Sequence, residues 1–207
     1  GGAMFTEGWW TRAARWTLLG SLGAFSACVG LLLVALVQTD LRIDYVVRYT
    51  EKALPLGYKL AALWAGQEGS LLLWGLLVAL VSAMAAFGLK RLERVDRNVA
   101  VATLAAITGF FALILLFAAN PFALTSGAIP PDGRGLNPML QDLAMIIHPP
   151  ILFIGYAGFT VPFAVLSAPD LDASQYRDRI HPEASGAATI ARLLADLSAP
   201  YLMPCPD

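Results

Sequence analysis

The sequence predicts an all-α fold: a polytopic membrane helix bundle with about four transmembrane helices, interfacial outward loops and a polar C-terminal tail. Three observations lead there. Of the 207 residues, 57% are hydrophobic and only 14% are charged, too little charge to cover a soluble domain of this size. The apolar residues are bunched rather than spread evenly. A spanning helix needs ~20 mostly apolar residues, and four of the bunches are that long. The net charge of −1 gives no basic surface for nucleic acid, so the partner that composition demands is the lipid bilayer.

The first span runs from Trp16 to Gln38, with no charge between Arg15 and Asp40. Residues 1–15 precede it as a cytoplasmic segment that does not read as a signal peptide, because a basic start leading into an apolar core is missing. Gly20, Gly23, Ala27 and Gly30 recur at helical spacing, a small-residue face that reads as ordinary packing within the bundle. The second span runs from Ser70, a candidate helix cap, to Leu89, and the third from Val99 to Ala119. The fourth runs from Pro150 to Ala168, where Pro162 should kink the helix. Residues 16–168 therefore form the membrane domain.

From 169 to 207 the chain turns polar. Ile190, Leu193, Leu194 and Leu197 recur at i, i+3, i+4 and i+7 and predict a short amphipathic helix. Cys28 and Cys205 should lie at different depths, so no disulfide is expected between them.

Orientation follows from Lys and Arg. Arg12 and Arg15, the tight cluster Lys90, Arg91, Arg94 and Arg97, and Arg177, Arg179 and Arg192 all fall on one side of a four-span bundle. The other side holds Arg42, Arg48, Lys52, Lys59 and Arg134, spread over two longer loops. The first side reads as cytoplasmic, so Thr39–Glu68 and Asn120–Pro149 face outward.

Those loops hold the candidate chemistry. Leu41, Ile43, Tyr45, Val47 and Tyr49 alternate with Arg42, Asp44, Val46 and Arg48, a period-2 pattern that predicts a short extended segment. Trp64 and Trp74 bracket a Gly66-Gln67-Glu68-Gly69 turn at the mouth of the second span. Two readings stand for Glu68: an acid favoured at the positive end of a helix, or a functional carboxylate at the membrane edge. His148 precedes Pro149 and Pro150. A residue before proline is biased away from helix, and proline suits a first helical turn, which puts His148 at the N-terminal mouth of the fourth span. It reads either as an interfacial imidazole bonding backbone or water, or as a neutral ligand for haem iron.

Several blocks then occur in order: Leu54-Pro55-Leu56-Gly57-Tyr58-Lys59, the Trp64–Trp74 block, Asn120-Pro121-Phe122, the run Asp132-Gly133-Arg134-Gly135-Leu136-Asn137-Pro138-Met139-Leu140-Gln141-Asp142, and His148-Pro149-Pro150 followed by Gly155-Tyr156-Ala157-Gly158-Phe159 and Val161-Pro162-Phe163. Over roughly residues 10–168 they resemble the N-terminal third of the CcmF-type cytochrome c haem lyases, the cytochrome c assembly protein family. An ordered set is far more specific than any single motif.

The resemblance implies a multi-pass protein of the bacterial inner membrane with the His148 loop towards the periplasm. It implies work with other cytochrome c maturation membrane proteins, receiving haem from a CcmE-like chaperone and joining its vinyl groups to the thiols of an apocytochrome c. His148 corresponds to one of two outward axial haem ligands. Trp64, Glu68, Trp74 and Tyr156 stand near the outer face as candidate contacts. The family also implies a b-type haem within the membrane.

The family's first helix, its tryptophan-rich outward segment, its second outward histidine and its membrane histidines have no counterpart here. The expectation is a truncated form without a complete bis-histidine site, and so without lyase activity of its own. Two other functions remain open at this point: a transporter or channel subunit, which the absence of charges inside the spans disfavours, and an inactive membrane remnant.

Overall fold

A computed structural model describes residues 7–88 and 94–166. Six α-helices lie among them: α1 (Glu7–Gln38), α2 (Asp44–Tyr49), α3 (Leu56–Ala61), α4 (Gln67–Gly88), α5 (Arg94–Phe117) and α6 (Leu143–Leu166), with 3-10 turns at Ala62–Trp64 and Pro138–Gln141. Four stretches are long and apolar enough to cross a membrane: Arg12–Gln38, Gln67–Gly88, Asn98–Phe117 and Ile146–Leu166. The chain is an all-helical membrane protein. The amphipathic segment at 190–197, Cys205, and Lys90 and Arg91 of the basic cluster lie outside the described residues.

The four long helices alternate in direction, and α4 is the central one, packed on α1, α5 and α6. Phe25, Leu32 and Leu36 of α1, Leu72, Val78 and Ala79 of α4, Phe111 and Leu115 of α5, and Ala157 of α6 form the core. α6 is the most peripheral: 17% of its span is buried, against 39% for α4.

The small-residue face of α1 does not pack into this bundle. Gly20, Gly23, Ala27 and Gly30 are exposed, and a Cβ added at any of the three glycines would meet nothing within 4 Å. Leu18, Phe25, Val29, Leu32 and Leu36 turn inward instead. Every face of this helix is apolar, so hydrophobicity cannot select the inner one, and side-chain volume does.

At the Gln38 end of α1 the two long loops fold into a cap. The segment expected to be extended is mostly helical. Only Ile43 keeps a strand-like contact, a single antiparallel bridge to Leu124. From Asp44 the chain turns into α2, in which the consecutive residues Tyr45, Val46 and Val47 are all buried. A strand places successive side chains on opposite faces, whereas a short helix under a lid buries three in a row. Tertiary burial overrides the β-preference of valine here.

Polar anchors hold the cap together. Lys59 is almost fully buried. Its ammonium donates to Thr39 Oγ1 at 2.7 Å and the Val37 carbonyl at 3.4 Å, so it meets the carbonyl-rich end of α1, where a cation is favoured. The second loop clamps the first. Asp132 Oδ1 accepts from the Lys52 amide at 2.9 Å, Arg134 N–H donates to the Val47 carbonyl at 2.8 Å, and Gly135 N–H donates to the Thr50 carbonyl at 3.1 Å. Gly133 passes so close to Thr50 that a Cβ would strike its carbonyl oxygen, and Gly135 has a φ of +78°. The hydrogen bonds from the Lys52 and Gly133 amides hold the Asp132 carboxyl below its ordinary range.

Tyr45 joins this cap to the bundle. Its buried hydroxyl donates towards the Ala62 and Leu63 carbonyls, 2.9 and 3.0 Å away, and accepts from Gly66 N–H at 3.1 Å. Burial pushes the phenol well above its ordinary range, so it stays a donor. A Cβ at Gly66 would strike the Tyr49 ring, and one at Gly69 would strike the Leu63 carbonyl and the Tyr45 phenol. The Ala62 carbonyl also accepts from Ala65 N–H, so Tyr45→Phe should leave the Leu63 carbonyl and Gly66 N–H without their partner and lower stability by about 1–3 kcal/mol. Thermal unfolding in detergent, followed by circular dichroism, measures it; an unchanged melting temperature would refute the hydroxyl's role.

Candidate functional site

The sequence-predicted residues divide into two groups that the fold does not bring together. Glu68 lies in the first turn of α4 and faces α2. Its Oε1 accepts from Arg48 Nη2 at 2.8 Å, and Arg48 Nε stands 2.9 Å from Asp44 Oδ2. The Nε–H is not aligned on that carboxylate, so the second contact is one of charge rather than a formed hydrogen bond. The guanidinium lies 5.2 Å from the Tyr49 ring centre and 5.8 Å from that of Tyr45. Burial pulls its pKa down, but the hydrogen bond and charge of Glu68 outweigh this and leave it raised. Glu68 is therefore the anchor of a structural ion pair. Its other oxygen, Oε2, is buried without a partner. Trp64 belongs to this region as well: it is half-buried under the cap, and its carbonyl accepts from the Ser70 hydroxyl at 3.0 Å. Ser70 is inside α4 and caps nothing at Gln67.

Trp74 and Tyr156 do meet. Their ring centres are 5.8 Å apart, and Trp74 also touches Phe153 at 6.0 Å and Phe111 at 5.1 Å. The cluster joins α4, α5 and α6 in the half of the bundle nearest the cap. The Trp74 indole N–H is buried within it and has no acceptor, a costly state for a donor in an apolar setting. Tyr156 is 51% exposed, so one side of the cluster is open.

His148 lies elsewhere than the sequence suggested. α6 starts at Leu143, with the Asp142 carboxylate accepting from Ala144 N–H at 2.8 Å as an N-terminal cap. His148 is thus in the second turn, and Pro149, Pro150 and Pro162 are inside the helix. The cap outweighs the bias that proline imposes on the residue before it. Neighbouring groups make up for proline's lost bond more readily in membrane helices than in soluble ones. Pro149 and Pro150 have no N–H, so the carbonyls four residues earlier, at 145 and 146, lose their usual donors. The imidazole is exposed. It shares a face with Leu152, Gly155 and Phe159, at i+4, i+7 and i+11, all exposed as well. Among the described residues it makes no hydrogen bond, and no three His, Cys, Asp or Glu side chains form a metal site.

Arg48 was the functional-looking residue that sequence reasoning overlooked. Its signal was the spacing Asp44 to Arg48, i to i+4, which suits a helical ion pair and makes no sense on a strand.

Residues 64–175 match the cytochrome c assembly protein family. The chain belongs to that family. It is 41% identical over 160 residues to the cytochrome c-type biogenesis protein CcmF of Escherichia coli, covering 74% of this chain and 23% of that protein. It is 40% identical over 151 residues to CcmF of Haemophilus influenzae, covering 73% and 23%, and 43% identical over 144 residues to CycK of Rhizobium meliloti, covering 69% and 21%. The chain thus spans less than a quarter of the length of these curated relatives. No solved structure matches it.

The ion pair has a testable cost. Arg48→Met should strand a largely buried carboxylate and destabilise the protein by about 1–3 kcal/mol. Adding Glu68→Gln should recover part of that loss. Thermal melts of the two single variants and the double variant measure the coupling, and strictly additive effects would show that the pair contributes nothing.

Proposed function

We propose that this chain forms an outward haem-docking face in cytochrome c maturation, in the bacterial inner membrane with His148 towards the periplasm. Its family and the names of its relatives support the general role. One observation carries the specific reading: an unpaired, exposed imidazole stands near the N-terminal, cap-side end of α6, and aromatic rings of a cluster follow it within about two turns on the same helix.

The residues fit a haem on one face. A neutral imidazole is a common axial ligand, and His148 has no competing partner among the described residues. Phe153 and Tyr156 follow it by five and eight residues, about 7–12 Å further along a helix and turned roughly 140° and 80° from it, so the exposed Tyr156 is the nearer of the two to the His148 face, and both back onto Trp74. Aromatic faces suit the flat, apolar part of a porphyrin. Bound haem would supply the iron for His148 and the vinyl groups that the thiols of an apocytochrome c attack. His148 would hold and orient that cargo, while the cluster would support its edge and keep water from it. The second axial ligand would come from another segment or subunit. The spans at 12–38, 67–88 and 98–117 contain no histidine, so a resident b-type haem would also find its ligands elsewhere. A CcmE-like chaperone as donor and an apocytochrome c as acceptor complete this reading.

Haemin titrated into the purified chain in detergent should give a Soret shift, and added imidazole should shift it further by filling the open axial position. His148→Ala should weaken binding by about tenfold or more, which is 1.4 kcal/mol. Equal spectra and affinity for the two proteins would remove His148 from the site.

Placement is tested separately. His148→Cys, in a background with Cys28 and Cys205 changed to serine, should react with a membrane-impermeant maleimide in intact spheroplasts. Labelling only after lysis would reverse the topology.

A further inference from the structure

The bridge between the two outward loops has one side free. Asp44 N–H donates to the Ala123 carbonyl and Thr125 N–H to the Arg42 carbonyl, both at 2.9 Å, and the Thr125 hydroxyl donates to the Leu41 carbonyl at 2.8 Å. In this antiparallel pattern the bridged residues, Ile43 and Leu124, turn their own N–H and C=O away from each other. Those of Ile43 are used locally, by the Asp40 carbonyl and by Val47 N–H. Those of Leu124 and Ser126 have no partner among the described residues and form an open strand edge. Gly127, with φ +85°, ends the extended run, and Pro130 and Pro131 have no N–H to continue it.

A groove of about 650 Å³ lies along this edge, lined by Ile43, Phe122, Leu124 and Ile129, with Asp40 and Arg42 on its rim. That volume suits a few side chains. Leu124 is 74% exposed and Ile129 57%, high values for large apolar residues that lie past the ends of α1 and α5. The Arg42 guanidinium is bound to Asp40 at 2.7 Å, so the rim presents a neutral pair.

We propose that this edge and groove bind an extended, uncharged segment of another polypeptide by strand addition. The guest exchanges backbone hydrogen bonds with Leu124 and Ser126 and places alternate apolar side chains beside Leu124 and Ile129. A lipid tail would fill the groove but leave the backbone groups unpaired, and a charged segment would gain nothing from the closed Asp40–Arg42 pair. The edge is short and ends at Gly127 and the prolines, a form that accepts one strand and resists open-ended sheet growth. The inference does not depend on haem binding at His148.

Strand addition has a geometric signature. Directly opposed residues in an antiparallel pair share a face. The guest residues whose side chains enter the groove beside Leu124 are therefore those whose N–H groups bond to the edge. A fluorescein-labelled peptide of alternating threonine and valine, with a lysine at each end, is the probe, read by anisotropy against the purified full chain in detergent. N-methylation of the valines should weaken binding by about tenfold or more, from two lost hydrogen bonds, while N-methylation of the threonines should leave it nearly unchanged. Leu124→Lys and Ser126→Pro should each weaken binding with the melting temperature and the haemin spectrum unchanged. Should Ser126→Pro disturb folding, Leu124→Lys and the two methylated peptides still decide the question. No saturable binding, equal loss with both methylated peptides, or a dimer of the chain abolished by Leu124→Lys would each overturn the proposal.

Discussion

The Tyr45 hydroxyl is where the cap and the membrane bundle become one structure. A helix that starts at the membrane surface has amide groups without intrahelical partners, and the loop leading into it has carbonyls in the same position. Tyr45 serves both, pairing with the Ala62 and Leu63 carbonyls and with Gly66 N–H. For the ring to reach that depth the position beside it must be glycine, and the sequence has Gly69 there; Gly66 makes the same room for Tyr49. The neighbouring Arg48–Glu68 pair ties the same two elements with charge. Once α2 is seated on the mouth of α4, α3 is fixed over the end of α1 by Lys59. The second loop can then close across Val47 and Thr50.

This arrangement changes what the family-like blocks mean. Many of their polar residues are spent on the cap. Asp132 binds the Lys52 amide, Tyr58 donates to the Gln141 carbonyl at 2.9 Å, Gln141 donates to the Leu136 carbonyl, and Asn137 and Asp142 cap the turns that follow them. Trp64 and Glu68 join this structural set. Among the described residues of these blocks, those left without an internal task include the exposed imidazole of His148, the half-open ring of Tyr156 and the unpaired indole N–H of Trp74. These three lie on or against α6, the least buried of the spans.

The spans were legible in the sequence because bilayer thickness acts directly on composition and length. Their ends were less so. Ser70 looked like a cap and Pro150 like a start, yet α4 begins at Gln67 and α6 at Leu143, since the groups that settle the matter, the Tyr45 ring and the Asp142 carboxylate, act through space or through side-chain bonding. The period-2 run at 41–49 misled for a similar reason. Alternation signals a strand only when one face meets water, and α2 is enclosed by the cap on one side and the bundle on the other. The small-residue face of α1 was visible, but its direction was not, because a helix apolar on every side carries no record of which side is inward. For the candidate site, the sequence supplied the residue types and the Trp74–Tyr156 neighbourhood. It could not supply the engagement of Glu68 by Arg48, a contact made across a loop and between two helices.

The placement of His148 bears on how such a face would work. Pro149 and Pro150 carry no N–H, so the carbonyls at 145 and 146 lack their usual intrahelical donors just before the histidine. The imidazole therefore stands on a stretch of helix whose backbone is locally under-bonded, on the open side of the least enclosed span. A ligand held there is bounded by this chain on one side only. On the proposed reading, the uncovered faces of α6 and α1 and the one imidazole among the described residues belong together: protein packing against this surface would complete its chemistry, and the cap would hold the surface in position for it.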